Sequence, residues 1–229
     1  MEVICLQNDE ADQWFAEQAV PLEPVPDPRM HLVLGDSVAR RSGLRSAKDS
    51  TCNRACEGAT WLTVLSNLET DISAWQVAAA ANGERLGSAL IWLNGAELYT
   101  RYTQMSSFSA EELSSIGERA TRVIGRLLNV AENVCVLGPL PRPAGELLGT
   151  PWQITAAYHH ERTLMRIDFG DRLKCLPIGR SLVRKMGRHE RGIWGVEHFF
   201  LDGVHPSPSG YVKLTASDYF PKWLKVGDE

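Results

Sequence analysis

Two short segments, far apart in the chain, carry residue types that could perform acyl transfer. Gly35-Asp36-Ser37-Val38 follows the apolar run His31-Leu32-Val33-Leu34, and Asp202-Gly203-Val204-His205-Pro206 lies towards the carboxyl end. A serine hydroxyl is an effective nucleophile only where a base takes its proton and donors receive the oxyanion. An aspartate three residues before a histidine can reach the imidazole and fix its tautomer. The second ring nitrogen is then left to accept the serine proton. Ser37, His205 and Asp202 are therefore the candidate nucleophile, base and orienting carboxylate. Each segment also has a plainer reading. Gly-Asp-Ser alone is an ordinary turn, and so is Asp-Gly before an exposed histidine. Their joint occurrence, one directly after the first strand and one near the end, favours chemistry.

Other polar clusters carry less. His189-Glu190 begins like a zinc-protease motif, but Ile193 stands where the second histidine is needed. Cys52 and Cys56 could be half of a metal site, and no second pair with matching spacing follows. Neither a metal nor a cofactor is expected. His159-His160 reads as a surface or interface pair beside Tyr158. His198, followed by Phe199 and Phe200, reads as part of a packed aromatic segment under the Asp202–His205 loop. The tryptophans, Trp61 and Trp92 among them, read as core.

Ser37 needs a rigid base, and the pattern around it supplies one. Short apolar runs bounded by turn residues fit buried parallel strands. Beside residues 31–34, such runs occur at 88–93, 133–137 and 173–177. Helical patterns alternate with them. The clearest spans 109–129, with Leu113, Ile116, Ala120, Val123, Ile124, Leu127 and Leu128 on one face. Ser109 and Glu112 form a capping-box pattern at its start. Further helices are predicted over 59–81 and 153–165. Strands alternating with helices call for a parallel sheet with covered faces, and its working site lies beyond the carboxyl ends of the strands. The expected fold class is α/β, a three-layer α/β/α sandwich around a parallel sheet of about five strands. Residues 1–29, with Pro21, Pro24, Pro26 and Pro28, are predicted to be an extended lead-in, and 30–229 the globular domain.

Gly35-Asp36-Ser37 near the start and Asp202-x-x-His205 near the end resemble the first and last sequence blocks of the SGNH (GDSL-like) hydrolases. The resemblance runs from His31 to about Leu214. It implies a flavodoxin-like α/β fold and an esterase, lipase or acetylhydrolase activity. The Gly-x-Ser-x-Gly elbow of the α/β-hydrolases is absent. Cys56-Glu57-Gly58-Ala59-Thr60 resembles the second block, which implies that Gly58 offers a backbone N–H to the oxyanion. The third block, Gly-x-Asn-Asp in the family, departs from the pattern. Aligning Leu98-Tyr99 puts Ala96 at the oxyanion asparagine and Glu97 at the aspartate. Asn94 is then the replacement donor, or else Asn94-Gly95 is a strand-ending turn. The implied oxyanion hole is Ser37, Gly58 and Asn94. A narrower resemblance links Ser37-Val38, Arg40, Arg41 and Gly58-Ala59-Thr60-Trp61 to the esterase domains of eukaryotic non-LTR retrotransposon proteins. That likeness implies an RNA-binding neighbour and weak contact with lipid or membrane surfaces. The alternative to an enzyme is a domain that keeps the fold as a binding or assembly module, favoured by Ala96.

Bulk properties set outer limits. The 229 residues suit one domain, and the 44% hydrophobic and 23% charged fractions are those of an ordinary globular chain. A formal net charge of −4 argues against nucleic-acid binding by the domain as a whole, and the basic residues of Arg40-Arg41 and 180–191 read as solvated faces. Five scattered cysteines, no signal-peptide pattern and no apolar run of membrane-spanning length predict a soluble, intracellular and cytoplasmic protein. The expected substrate is a small acyl, acetyl or lipid ester. Nothing in the sequence sets the oligomeric state.

Overall fold

A computed structural model describes residues 28–99, 109–143, 150–185, 191–192 and 196–226. The apolar run at 31–34 forms the middle of strand β1 (Arg29–Gly35), after which Ser37–Arg41 makes one short helix, α1. A short strand β2 (Arg45–Ser46) is followed by β3 (Ser50–Asn53), α2 (Trp61–Asn82) and β4 (Arg85–Trp92). Then come α3 (Ala110–Leu127), β5 (Val134–Leu137), α4 (Ala156–Leu164) and β6 (Leu173–Leu176). Two-residue strands β7 (Arg184–Lys185) and β8 (Arg191–Gly192) pair with each other. Helix α5 (Pro208–Thr215) and β9 (Leu224–Lys225), which pairs with β2, complete the chain.

Five strands form a parallel sheet in the order β3-β1-β4-β5-β6. The α/β class with a five-stranded parallel sheet thus follows the sequence pattern. Consecutive residues of β1, β4 and β5 are buried in unbroken runs. Neighbours along a strand point to opposite faces, so such runs require cover on both sides. Strand β3 has no apolar signal: Ser50-Thr51-Cys52-Asn53 is polar and half-buried at the sheet's outer edge. Only its pairing with β1 makes it a strand.

The helices follow local chemistry closely. Thr60 caps α2 by accepting from the Thr63 N–H, and Trp61, Val64, Leu68, Ile72, Trp75 and Ala79 form its buried stripe. The Trp75 indole donates to the Met30 carbonyl at 3.0 Å and fastens α2 to β1. Ser109 and Glu112 make the predicted capping box on α3. The helix predicted over 153–165 is divided. Trp152–Ile154 is a 3₁₀ turn, Thr155 is extended, and its hydroxyl caps α4 by accepting from the Tyr158 N–H. Helices α2, α3 and α4 pack in succession, while α5 packs on the turns Ile178–Leu182 and Glu197–Phe199. Trp61, Trp75, Trp92 and Trp152 are core, whereas Trp223 is exposed. Residues 1–27 of the predicted lead-in, and His189-Glu190, lie outside the described residues. Among the described residues no helix is long and apolar enough to cross a membrane.

Gly35 is required for space. A Cβ there would sit 2.4 Å from both the Ala39 methyl and the Trp92 carbonyl oxygen. Gly35→Ala is expected to lower stability by about 3 kcal/mol through overpacking, visible as a lower denaturant midpoint with an unchanged m-value.

Candidate active site

The sheet order reverses beside β1: the chain passes to β3 on one side and returns through α2 to β4 on the other. Ligands of open α/β sheets bind at such a switch point, outside the carboxyl ends of the strands. Ser37 leaves β1 there, Gly58 follows β3, and Asn94 follows β4. Asp36 joins two of these exits. Its carboxylate is buried, with Oδ1 accepting from the Val38 N–H at 2.9 Å and Oδ2 from the Asn94 N–H at 2.7 Å. It caps α1 and fixes the loop after β4 in one stroke. Burial raises its carboxyl above the ordinary value, opposed by the N–H groups of Asn94, Val38 and Ala39 and by the charge of Arg142.

The structure brings Ser37, His205 and Asp202 into one chain of hydrogen bonds. Ser37 Oγ lies 2.9 Å from His205 Nε2, and His205 Nδ1 lies 2.7 Å from Asp202 Oδ2. The other carboxylate oxygen accepts from the backbone N–H groups of Val204 and His205 at 3.0 and 2.8 Å. Desolvation works to raise the Asp202 carboxyl, but these hydrogen bonds outweigh it and hold the group at about 2. An ionised carboxylate only accepts, so the Nδ1 position carries the proton and Nε2 presents its lone pair to the Ser37 hydroxyl. The loop is braced by the Leu201 N–H to the His205 carbonyl at 2.8 Å and by the Phe200–Pro206 bridge.

The donors expected for the oxyanion are placed by backbone ties. The loop after β3 is held to β1 by the Arg54 N–H on the Val33 carbonyl and the Cys56 N–H on the Gly35 carbonyl. Gly58 has a φ of 71°, which favours glycine, and its N–H donates to no acceptor among the described residues. Ser37 is the first residue of α1, where a backbone N–H has no partner within the helix. Asn94 is buried; its Oδ1 accepts from the Leu140 N–H, which turns Nδ2 the other way. That Nδ2 has no hydrogen-bond partner among the described residues. Leaving a buried donor unpaired costs about 1–3 kcal/mol.

Ala96 offers no polar side chain, and Glu97 binds structure instead. Glu97 Oε1 accepts from the Trp61 N–H at 2.9 Å, and Oε2 from Arg119 Nη1 at 3.1 Å. It therefore satisfies an orphan donor at the start of α2. The surface reading of His160 is corrected. It is wholly buried, and its Nε2 accepts from the Trp61 indole at 2.9 Å. His159 beside it is half-buried. His198 tilts against Phe199 with ring centroids 3.9 Å apart, but it is exposed, so the packed part of the segment is Phe199 and Phe200 and not the histidine.

Two arginines near the site are not among the expected site residues: Arg41 reads as part of a solvated basic face, and Arg142 is not singled out by the sequence pattern. Arg41 Nη1 lies 3.4 Å from His205 Nδ1, and its Nη2 donates to Glu57 at 3.2 Å. Its position four residues after Ser37, on the same helical face, was the available clue. Arg142 lies over the Tyr99 ring at 4.9 Å and close enough to Asp36 to act on its charge. No cluster of three metal-ligating side chains occurs among the described residues.

No protein-family model matches the sequence, and no curated protein matches it. Solved structures do. The chain is similar to Axe2, an acetylxylan esterase from Geobacillus stearothermophilus, at 13% identity and a TM-score of 0.53, covering 84% of this chain and 96% of that one. It is also similar to a lipase/acylhydrolase from Enterococcus faecalis, at 14% identity and a TM-score of 0.52, covering 82% and 92%. The fold is that of these esterases and acylhydrolases. At such identity the likeness speaks for the fold, and the chemistry rests on this chain's own residues.

Burial of His160 is expected to make this fold sensitive to acid. Burial pushes His160 down to about 4 from 6.5. Between those values the unfolded chain binds a proton that the folded chain does not. Its stabilising effect is complete above pH 6.5 and lost as pH falls towards 4, by about 3 kcal/mol. Denaturation at both ends of that window should show a His160→Gln variant with a smaller acid-induced loss than the parent.

Proposed function

We propose that this protein is a serine hydrolase of the SGNH type that cleaves small carboxylic esters through Ser37, His205 and Asp202. The observation that carries the reading is the hydrogen-bond chain at 2.9 and 2.7 Å from Ser37 Oγ through the His205 ring to Asp202. His205 Nε2 takes the hydroxyl proton as Oγ attacks the ester carbonyl, and Asp202 stabilises the imidazolium through Nδ1. The tetrahedral oxyanion is received by the N–H groups of Ser37 and Gly58 and by Asn94 Nδ2. The orphaned amide of Asn94 supports that third assignment, since an oxyanion would satisfy it. Collapse of the intermediate expels the alcohol, protonated by Nε2, and leaves the acyl group on Ser37. Water, deprotonated by the same nitrogen, then releases the acid and restores the serine.

A small acyl group, such as acetyl, is the proposed substrate element, and the fold shared with an acetylxylan esterase and a lipase/acylhydrolase supports an ester. Lipid esters belong to the same proposal. The likeness to retrotransposon-encoded esterase domains rests on Val38, Arg40, Arg41 and the Gly58–Trp61 segment and adds no step to this chemistry. Asn94 takes the place of the donor that Ala96 lacks, beside the N–H groups of Ser37 and Gly58, which is why an active enzyme is preferred to a binding module.

A fluorophosphonate probe should label the parent and fail to label Ser37→Ala and His205→Ala. Absence of labelling in folded parent protein would instead favour the binding module. With an acetyl ester, Ser37→Ala is expected to reduce kcat by about 10⁴-fold or more. Asn94→Ala should reduce kcat by about 10²–10³-fold if its amide serves the oxyanion, and leave it nearly unchanged if it does not.

A further inference from the structure

Helix α4 buries a histidine that the proposed chemistry does not use. His160 is wholly buried, and its Nε2 accepts from the Trp61 indole at 2.9 Å. In the neutral ring the proton therefore sits on Nδ1, which has no hydrogen-bond partner among the described residues. A buried donor left unpaired is costly, so an imidazole is a poor choice for packing alone. The ring crosses that of Trp61 at 84°, with centroids 6.5 Å apart. The Trp61 backbone N–H is held in turn by Glu97, so the place of the imidazole is set from α2 as well as from α4.

What the ring touches is the residue after Asn94. A Cβ on Gly95 would sit 3.1 Å from His160 Nδ1 and 3.8 Å from Cε1, so the imidazole edge lies against the Gly95 backbone. Gly95 has a φ of 76°, and its carbonyl accepts from the Leu98 and Tyr99 N–H groups at 2.8 and 3.2 Å. Asn94 itself is held at two points. Its backbone N–H is fixed by Asp36 at 2.7 Å, and its Oδ1 by the Leu140 N–H at 2.5 Å. Neither bond sets the direction in which the chain leaves Asn94; on that side the imidazole is the wall. We propose that His160 is a positioning residue: locked by Trp61, it seats Gly95 and thereby aims Asn94 Nδ2 at the oxyanion. This inference rests on the hydrolase reading above, and in it His160 meets no reacting atom.

The test is a double-mutant cycle on kcat with an acetyl ester. His160→Ala, which opens space beside Gly95, should lower kcat by about 10–10²-fold and change KM little, the cost of misplacing a catalytic group by about 1 Å. In an Asn94→Ala background the same substitution should lower kcat by less than about twofold, because the donor it positions is gone. His160→Gln, whose amide oxygen can accept from the indole, should recover most of kcat. If His160→Ala does not fold, Trp61→Phe, which removes the indole donor, is carried through the same cycle with the same expected dependence on Asn94. An equal loss in both backgrounds, or no loss in either, would overturn the proposal. So would a kcat indifferent to Asn94→Ala itself. If the parent cleaves no ester and takes no fluorophosphonate label, the hydrolase reading fails separately. Amide hydrogen exchange then decides the positioning. In the folded variant the Asn94 N–H should exchange about tenfold faster relative to the N–H groups of β1, and an unchanged ratio removes the proposal.

Discussion

The buried carboxylate of Asp36 is the constraint on which the rest of the site depends. One oxygen holds the first turn of α1, and the other holds the backbone of Asn94. These two segments leave adjacent strands at the point where the sheet order reverses, and the backbone ladder ends there with the Asp36 N–H on the Trp92 carbonyl. Beyond that rung the Asp36 side chain holds them together, with two short hydrogen bonds to backbone N–H groups. A carboxylate is costly to bury, and those donors offset part of that cost. The opposition is visible in its carboxyl group, which burial raises and the N–H groups pull back.

Around this anchor the site is assembled from segments with independent supports. The loop carrying Gly58 is tied to β1 by two backbone hydrogen bonds and leads into α2, whose first residue is held by Glu97. Glu97 comes from the loop after β4, so the same loop that presents Asn94 also secures the start of α2. Trp61 extends that connection through its indole to His160 on α4. Three exits from the sheet and one helix are thereby fixed relative to Ser37. Asp202 and His205 arrive on a separate hairpin-like loop closed on itself by the Leu201 and His205 backbone. Asp202 stays half exposed, so its low carboxyl value reflects hydrogen bonds within the loop and not a pre-formed buried pocket.

The electrostatic character of the mouth does not follow from net charge. A chain of formal charge −4 places Arg40 and Arg41 on the short helix that begins at Ser37, and Arg142 within reach of Asp36. Local field at a site depends on which few charges are near and poorly screened, and that is decided by packing.

The sequence by itself determined what short-range chemistry can encode. Apolar runs marked β1, β4, β5 and β6; the Ser109–Glu112 box and the stripe behind it marked α3; Gly35-Asp36-Ser37 and Asp202-x-x-His205 marked the residues that meet. Their meeting across 168 residues was an expectation from motif order, and the tertiary structure supplied the distances. It also decided what periodicity could not. Strand β3 exists because polar residues found a partner edge on β1. Helix α4 starts at Ala156 because Thr155 turns its hydroxyl to cap it. His160 is core and not surface because Trp61 reaches it across 99 residues. Asn94 has an amide nitrogen without a partner among the described residues because Leu140 claims its oxygen, and Arg41 is beside His205 because α1 and the last loop converge. Local pattern reports what a residue prefers, whereas the partner of each polar atom is set by sheet order and register, which no short stretch of sequence contains.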